Sequence, residues 1–163
     1  MTGFPRQAFA AAVATGCGLG RVPKAPGTAG SLAALLPGWF IAQWLGWPGL
    51  LLAAGALFVL GWWAVDVCAR ADNLAPFGAD RPHFVIDEIM GMTLTLVLAP
   101  ANGAGFIMAF AVFRLFDIAK PWPVSWADKR VPGGLGVMLD DAIAAVLSAL
   151  LVGFFSWALG GYG

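Results

Sequence analysis

Apolar runs, broken at intervals by short polar or glycine-rich stretches, organise the whole chain. Five of them read as helices near the length needed to cross a bilayer, which is about 20 residues and about 17 at the short end. They cover residues 32–47, 50–67, 84–98, 105–118 and 142–159. The second and fifth are the strongest; the third and fourth are short and carry charge near one end. Pro37 lies inside the first run and predicts a kink or break there. The run 7–20 is rich in small residues and too short to cross, so re-entrant and surface helices both remain open for it. A cleaved signal around Thr15-Gly16-Cys17 is the weaker reading, because Arg6 is the only charge ahead of it and Arg21 and Lys24 follow directly.

The polar residues between the runs are sorted by side. The breaks at 46–49 and 99–104 and the tail 160–163 contain no charge. All nine Lys and Arg fall on the other side: Arg6, Arg21, Lys24, Arg70, Arg81, Arg114, Lys120, Lys129 and Arg130. A five-span chain with its N-terminus inside gathers them on one face, which the positive-inside rule makes cytoplasmic. Trp44, Trp47 and Trp157 mark the far interface, and Trp62, Trp63, Trp122 and Trp126 the near one. The expected fold is therefore all-α, a polytopic membrane bundle of about five transmembrane helices forming a single domain over residues 1–163.

Composition strengthens that picture. The chain is 60% hydrophobic and 11% charged, against roughly 45–50% and about 25% in soluble domains, and its mean hydropathy is +0.83. Nine basic residues balance nine acidic ones, so nothing in the charge balance suits nucleic acid. Cys17 and Cys68 have no CxxC spacing and His83 is the one histidine, which excludes a thiolate zinc site on ligand count. No feature of the sequence reports oligomeric state.

The acidic residues follow the same partition, which the positive-inside rule does not require. Asp66, Asp72, Asp80, Asp87, Glu88, Asp117, Asp128, Asp140 and Asp141 all lie at the cytoplasmic side or its helix ends. At about 1.5 Å per residue, Asp87 and Asp117 sit roughly 17 and 20 Å from the far ends of their spans. Carboxylates at that depth are costly without partners, so they mark a site.

Three segments carry the chemistry. In Lys24-Ala25-Pro26-Gly27-Thr28-Ala29-Gly30-Ser31, Ser31 is the expected N-cap of the first span. The free amides, the Thr28 and Ser31 hydroxyls and Lys24 then make an anion cradle around Gly30; the plainer alternative is a capped helix start. In His83-Phe84-Val85-Ile86-Asp87-Glu88, two adjacent carboxylates on a helix point about 100° apart. One can face a metal while the other orients a neighbour, unless both simply cap the helix. His83 reads as interfacial rather than as a ligand. In the third, Arg114, Asp117 and Lys120 share one helical face, Pro121 ends that helix, Lys129 and Arg130 follow, and Asp140-Asp141 opens the last span.

Carboxylates from three spans at one depth suit Mg²⁺, which takes carboxylate, water and phosphate oxygens. Lys24, Arg114, Lys120, Lys129 and Arg130 could neutralise a phosphate. The residues thus suggest metal-assisted phosphoryl chemistry on a lipid headgroup. Mg²⁺ on Asp87, Asp117 and Asp141 (or its neighbour Asp140) is the expected metal set, with Glu88 or the remaining Asp as general base; an aspartyl-phosphate is the competing route.

Four motifs in order, Pro26-Gly27-Thr28-Ala29-Gly30-Ser31, Val85-Ile86-Asp87-Glu88-Ile89-Met90-Gly91, Phe113-Arg114-Leu115-Phe116-Asp117-Ile118-Ala119-Lys120-Pro121-Trp122-Pro123 and Gly133 through Asp141, resemble the phosphatidylglycerophosphatase A family from about residue 15 to 155. That resemblance implies a Mg²⁺-dependent hydrolase converting phosphatidylglycerophosphate to phosphatidylglycerol and phosphate in a bacterial inner membrane. It carries catalytic roles to Asp87, Glu88, Asp117, Lys120, Asp140 and Asp141, and binding roles to Thr28 and Ser31. The spaced Asp pattern of CDP-alcohol phosphotransferases is missing, and a His-nucleophile phosphatase would need more than His83. A small transporter or a non-catalytic membrane subunit is the remaining alternative, but the far halves of the spans are uncharged and no internal repeat occurs.

Overall fold

The structure is a computed structural model that describes residues 4–71 and 82–160; the expectations for Asp72, Asp80, Arg81 and residues 161–163 lie outside them. Among the described residues six α-helices follow in order: α1 (Phe4–Ala14), α2 (Pro26–Ala71), α3 (Ile86–Thr95), α4 (Gly103–Ala119), α5 (Val124–Arg130) and α6 (Gly133–Ala158). Short 3-10 turns occupy Leu19–Arg21 and Leu96–Leu98. No strand occurs among the described residues.

α2 contains the first two expected spans. Its backbone leaves helical geometry at Gly46 (φ 63°, ψ −161°), a region open essentially to glycine alone. On the first arm Gly30 packs against Val85 and Gly38 against Leu96, while on the second Gly61 packs against Ile86. Leu50, just past the bend, shares a core with Leu96. The two arms therefore run in opposite directions along α3, and Gly46 reverses the chain. The break expected at Pro37 falls at Gly46 instead, and residues 47–49 are already helical. A proline costs one intrahelical bond and some crowding, which a long helix absorbs more easily than a full reversal.

α2 and α6 are each long and apolar enough to cross a membrane. The third expected span is only ten residues of α-helix plus a 3-10 turn, about 15–20 Å. It is enclosed by both arms of α2 and by α6, with Ile86, Met90, Met92 and Leu96 buried. Asn102 caps α4, its side chain accepting from Gly105 N at 2.8 Å. α6 begins nine residues before the expected start at 142, so Asp140 and Asp141 lie about two turns inside it rather than opening it. The helix-dipole argument for them therefore fails, because that effect fades within the first turn.

The early start of α6 has a tertiary cause. Pro132 offers no side-chain cap; Asp66 of α2 supplies one, accepting from Gly134 N at 2.8 Å. A Cβ at Gly134 would meet Trp62 O at 2.7 Å, so only glycine permits this approach. Asp66→Ala is expected to cost about 1 kcal/mol, as loss of a cap does, lowering Tm in detergent by about 2–4 °C. Asp66→Asn keeps an acceptor oxygen and should recover most of that loss; equal losses in the two variants would contradict the capping role.

Candidate metal and phosphate site

α3 starts where it does because Val85 N donates to Ala14 O at 2.9 Å, tying the end of α1 to the helix entrance. Asp87 and Glu88 then occupy its first turn, where negative charge is favourable. Asp87 Oδ1 accepts from Glu88 N at 3.0 Å. α6 brings Asp141 to the same place: one oxygen from each of Asp87, Glu88 and Asp141 lies within 4.8 Å of the others. Glu88 Oε2 and Asp141 Oδ2 are buried and make no hydrogen bond.

α4 lays a cation beside them. Arg114 pairs with Asp117 one turn on, through Nη1 and Oδ2, and the same Nη1 is 3.9 Å from Glu88 Oε1. The Arg114 and Asp117 side chains are only 15% and 12% exposed. Asp141 has Asp117, Glu88 and Asp140 as its charged neighbours. Of the residues expected to hold a metal, Asp87 and Asp141 come together with Glu88, and Asp117 stands beside Asp141 while it pairs with Arg114.

Lys120 closes α4 in the left-handed region (φ 42°, ψ 55°), a strained place for a non-glycine residue. Its Nζ lies 2.5 Å from Asp128 Oδ1 and 2.6 Å from Asp140 Oδ2. It therefore ties the end of α4 to α5 and to the second turn of α6. Burial alone would lower its pKa, but the bonds to Asp128 and Asp140 outweigh that and hold it above the ordinary lysine value. Its charge persists at any pH near neutrality. Asp140 also accepts from Asp141 N at 3.0 Å, so Lys120 fixes the carboxylate next to the cluster.

The glycine segment is helical earlier than expected. α2 begins at Pro26, whose fixed φ suits a first helical position and whose missing N–H costs nothing there. Ser31 is not an N-cap: it is buried one turn inside and donates to Gly27 O at 3.0 Å. The anion-facing end moves from Gly30 to residues 26–28. A Cβ at Gly27 would overlap Glu88 Oε1 and stand 3.2 Å from Arg114 Nη1, so the positive end of α2 touches the acidic cluster and its arginine. Thr28 is half-buried there. Gly30 serves close packing on Val85. Lys24 is exposed just before the helix, and Lys129 and Arg130 are exposed at the end of α5. No ion pair among the described residues ties these three to the cluster. His83 Nδ1 is 3.2 Å from Gly20 O, in keeping with a structural role.

One participant was not expected from sequence, Asp128 as a partner of Lys120; Glu88 was expected at the cluster as a base, and its oxygen lies among those of Asp87 and Asp141. The seven residues between Lys120 and Asp128 include Pro121 and Pro123, so no helical spacing signals the pair.

Among the described residues, six carboxyls (Asp87, Glu88, Asp117, Asp128, Asp140 and Asp141) face two cations, Arg114 and Lys120. Buried carboxylate oxygens without donors call for a further cation, and an all-oxygen set favours a hard divalent ion. The residues fit that group. Beside it, Arg114 and the free amides of a helix start can hold an anion.

Residues 12–156 match the family model described as Phosphatidylglycerophosphatase A. The chain is 37% identical over 151 residues to Phosphatidylglycerophosphatase A of Escherichia coli (strain K12), covering 91% of this chain and 85% of the relative. It is 35% identical over 142 residues to the protein of the same name from Haemophilus influenzae, covering 86% and 84%. A Bacteroides thetaiotaomicron protein named provisionally as a phosphatidylinositol-3-phosphatase is 37% identical over 155 residues, covering 91% and 94%. No solved structure matches the chain.

Proposed function

The chain belongs to the phosphatidylglycerophosphatase A family, and from that premise we propose that it hydrolyses phosphatidylglycerophosphate to phosphatidylglycerol and phosphate. The observation that carries the mechanism is the convergence of Asp87, Glu88 and Asp141 oxygens within 4.8 Å, beside Arg114 and the start of α2. Asp87, Glu88 and Asp141 would hold Mg²⁺. When bound, the ion would polarise the phosphomonoester and lower the pKa of a water.

The chain's own groups do the rest. Arg114, oriented by Asp117, and the first-turn amides of α2 receive the phosphate oxygens and oppose the charge that grows on them. Glu88 Oε2, buried without a donor, is placed to take the proton of the attacking water. Water forms the new P–O bond as the bond to the glycerol oxygen breaks, and the proton taken by Glu88 passes to that oxygen, which leaves as a hydroxyl. Lys120 keeps Asp140 in position and holds the end of α4 to α5 and α6.

Two helices of membrane-crossing length and composition support a membrane protein. We extend this to a bundle in which the two arms of α2, α4 and α6 cross the bacterial cytoplasmic membrane around the short α3, the N-terminus and site facing the cytoplasm. The charge-free turns at 46–49 and 99–104 support that orientation.

The test is phosphate release by the purified chain in detergent. Phosphatidylglycerophosphate, phosphatidic acid and a phosphatidylinositol phosphate are compared, each with and without chelator. The expected result is the highest kcat/KM on phosphatidylglycerophosphate, abolished by chelator and restored by Mg²⁺. Release that ignores the chelator would overturn the metal, and preference for another headgroup would overturn the substrate.

A further inference from the structure

A groove that none of these site residues lines runs between α1 and the second arm of α2. It encloses about 260 Å³ and adjoins a hollow of about 290 Å³ that shares Arg6, Val67 and Arg70 with it. Its walls change character along the arm. Val59, Trp62 and Trp63 come first, and Arg70 follows eleven residues after Val59, about 16 Å further along the axis. The Arg6 guanidinium lies over the Trp63 ring, 5.9 Å from its centroid. Arg70 is 84% exposed and its Nη2 stands 3.9 Å from Asp66 Oδ2, longer than a hydrogen bond. Asp66 is meanwhile engaged by Gly134 N through its other oxygen.

An apolar and aromatic wall leading to two guanidinium groups matches the profile of a phospholipid. Acyl chain would lie along Val59 and Trp62, and the phosphate between Arg6 and Arg70. Arginine is suited to paired hydrogen bonds with phosphate oxygens, and tryptophan to the headgroup level. We propose that this groove binds one anionic phospholipid through its phosphodiester, as a site separate from the hydrolytic one. The inference rests on reading α2 as membrane-spanning. Asp66 also lines the groove, so the described lining carries two guanidiniums against one carboxylate; the remaining positive charge selects lipids of net negative charge, the class to which the proposed product belongs, over zwitterionic ones.

Native mass spectrometry of the full chain released from detergent tests this. The probes are phosphatidylglycerol, phosphatidylcholine of the same acyl chains, and inorganic phosphate. The wild type is expected to retain one more phosphatidylglycerol than phosphatidylcholine, undisturbed by inorganic phosphate. Arg6→Glu with Arg70→Glu should weaken that adduct at least about tenfold, since basic residues near a lipid surface each add to the attraction for anionic lipid, with phosphate release largely unchanged. An undiminished adduct in the double variant overturns the proposal, and displacement by inorganic phosphate replaces the lipid with a free anion. If the double variant is inactive, Arg70→Gln alone decides: an unchanged adduct refutes the site. Absence of hydrolysis with the adduct intact would instead count against the phosphatase reading.

Discussion

Asp141→Asn is expected to abolish turnover while making the metal-free protein more stable. Asp141 is buried with one oxygen unpartnered, and Asp117, Glu88 and Asp140 crowd it with like charge. Without a bound cation this crowding opposes folding, and an amide of the same shape relieves it. The same change removes one of three oxygens placed to hold the ion. Metal polarisation is worth several kcal/mol, and about 1.4 kcal/mol is tenfold, so kcat should fall on the order of a thousandfold. Thermal unfolding in detergent should show an apo Tm at or above that of wild type and a much reduced rise on adding Mg²⁺. Near-normal activity, or a Tm that falls steeply, would remove Asp141 from the ion site.

Arg114→Ala should do the reverse to stability. Its guanidinium pairs with Asp117 and approaches Glu88, and each of these side chains is mostly buried. Deleting one partner of a buried pair leaves uncompensated charge, at a cost of about 3–5 kcal/mol. For a chain of this size that is a fall in Tm on the order of 10 °C. Activity should be lost as well, because Arg114 reaches both the cluster and the start of α2. Arg114→Lys restores charge but not the planar fork, so it should recover stability more than rate. If Arg114→Ala melts like wild type, the contact of Arg114 with Glu88 is not what holds α4 to α3.

Much of this was legible in the chain. Runs 32–47 and 50–67 survive as the two arms of α2, and 105–118 as α4, because apolar length and a glycine-rich break are properties of a few neighbouring residues. The start of α6 was not legible. Gly133-Gly134 argues against helix locally, and the helix forms there because Asp66, 68 residues away, caps it. Ser31 looked like a cap under the same local rules, yet Pro26 is an equally good start signal, and packing of Gly27 on Glu88 favours the earlier one. The depth of the carboxylates could be read along each span, but their direction around the helix could not. The sequence therefore placed Asp87, Asp117 and Asp141 at one depth, and the structure adds that Glu88 shares the cluster of Asp87 and Asp141 while Asp117 stands beside Asp141 and pairs with Arg114.

Manganese binding followed by electron paramagnetic resonance puts the acidic cluster itself to the test. The purified wild-type chain should remove one Mn²⁺ per molecule from solution, competed by Mg²⁺, and a variant carrying Asp87→Asn, Glu88→Gln and Asp141→Asn should remove none. Equal uptake by both proteins would contradict the account.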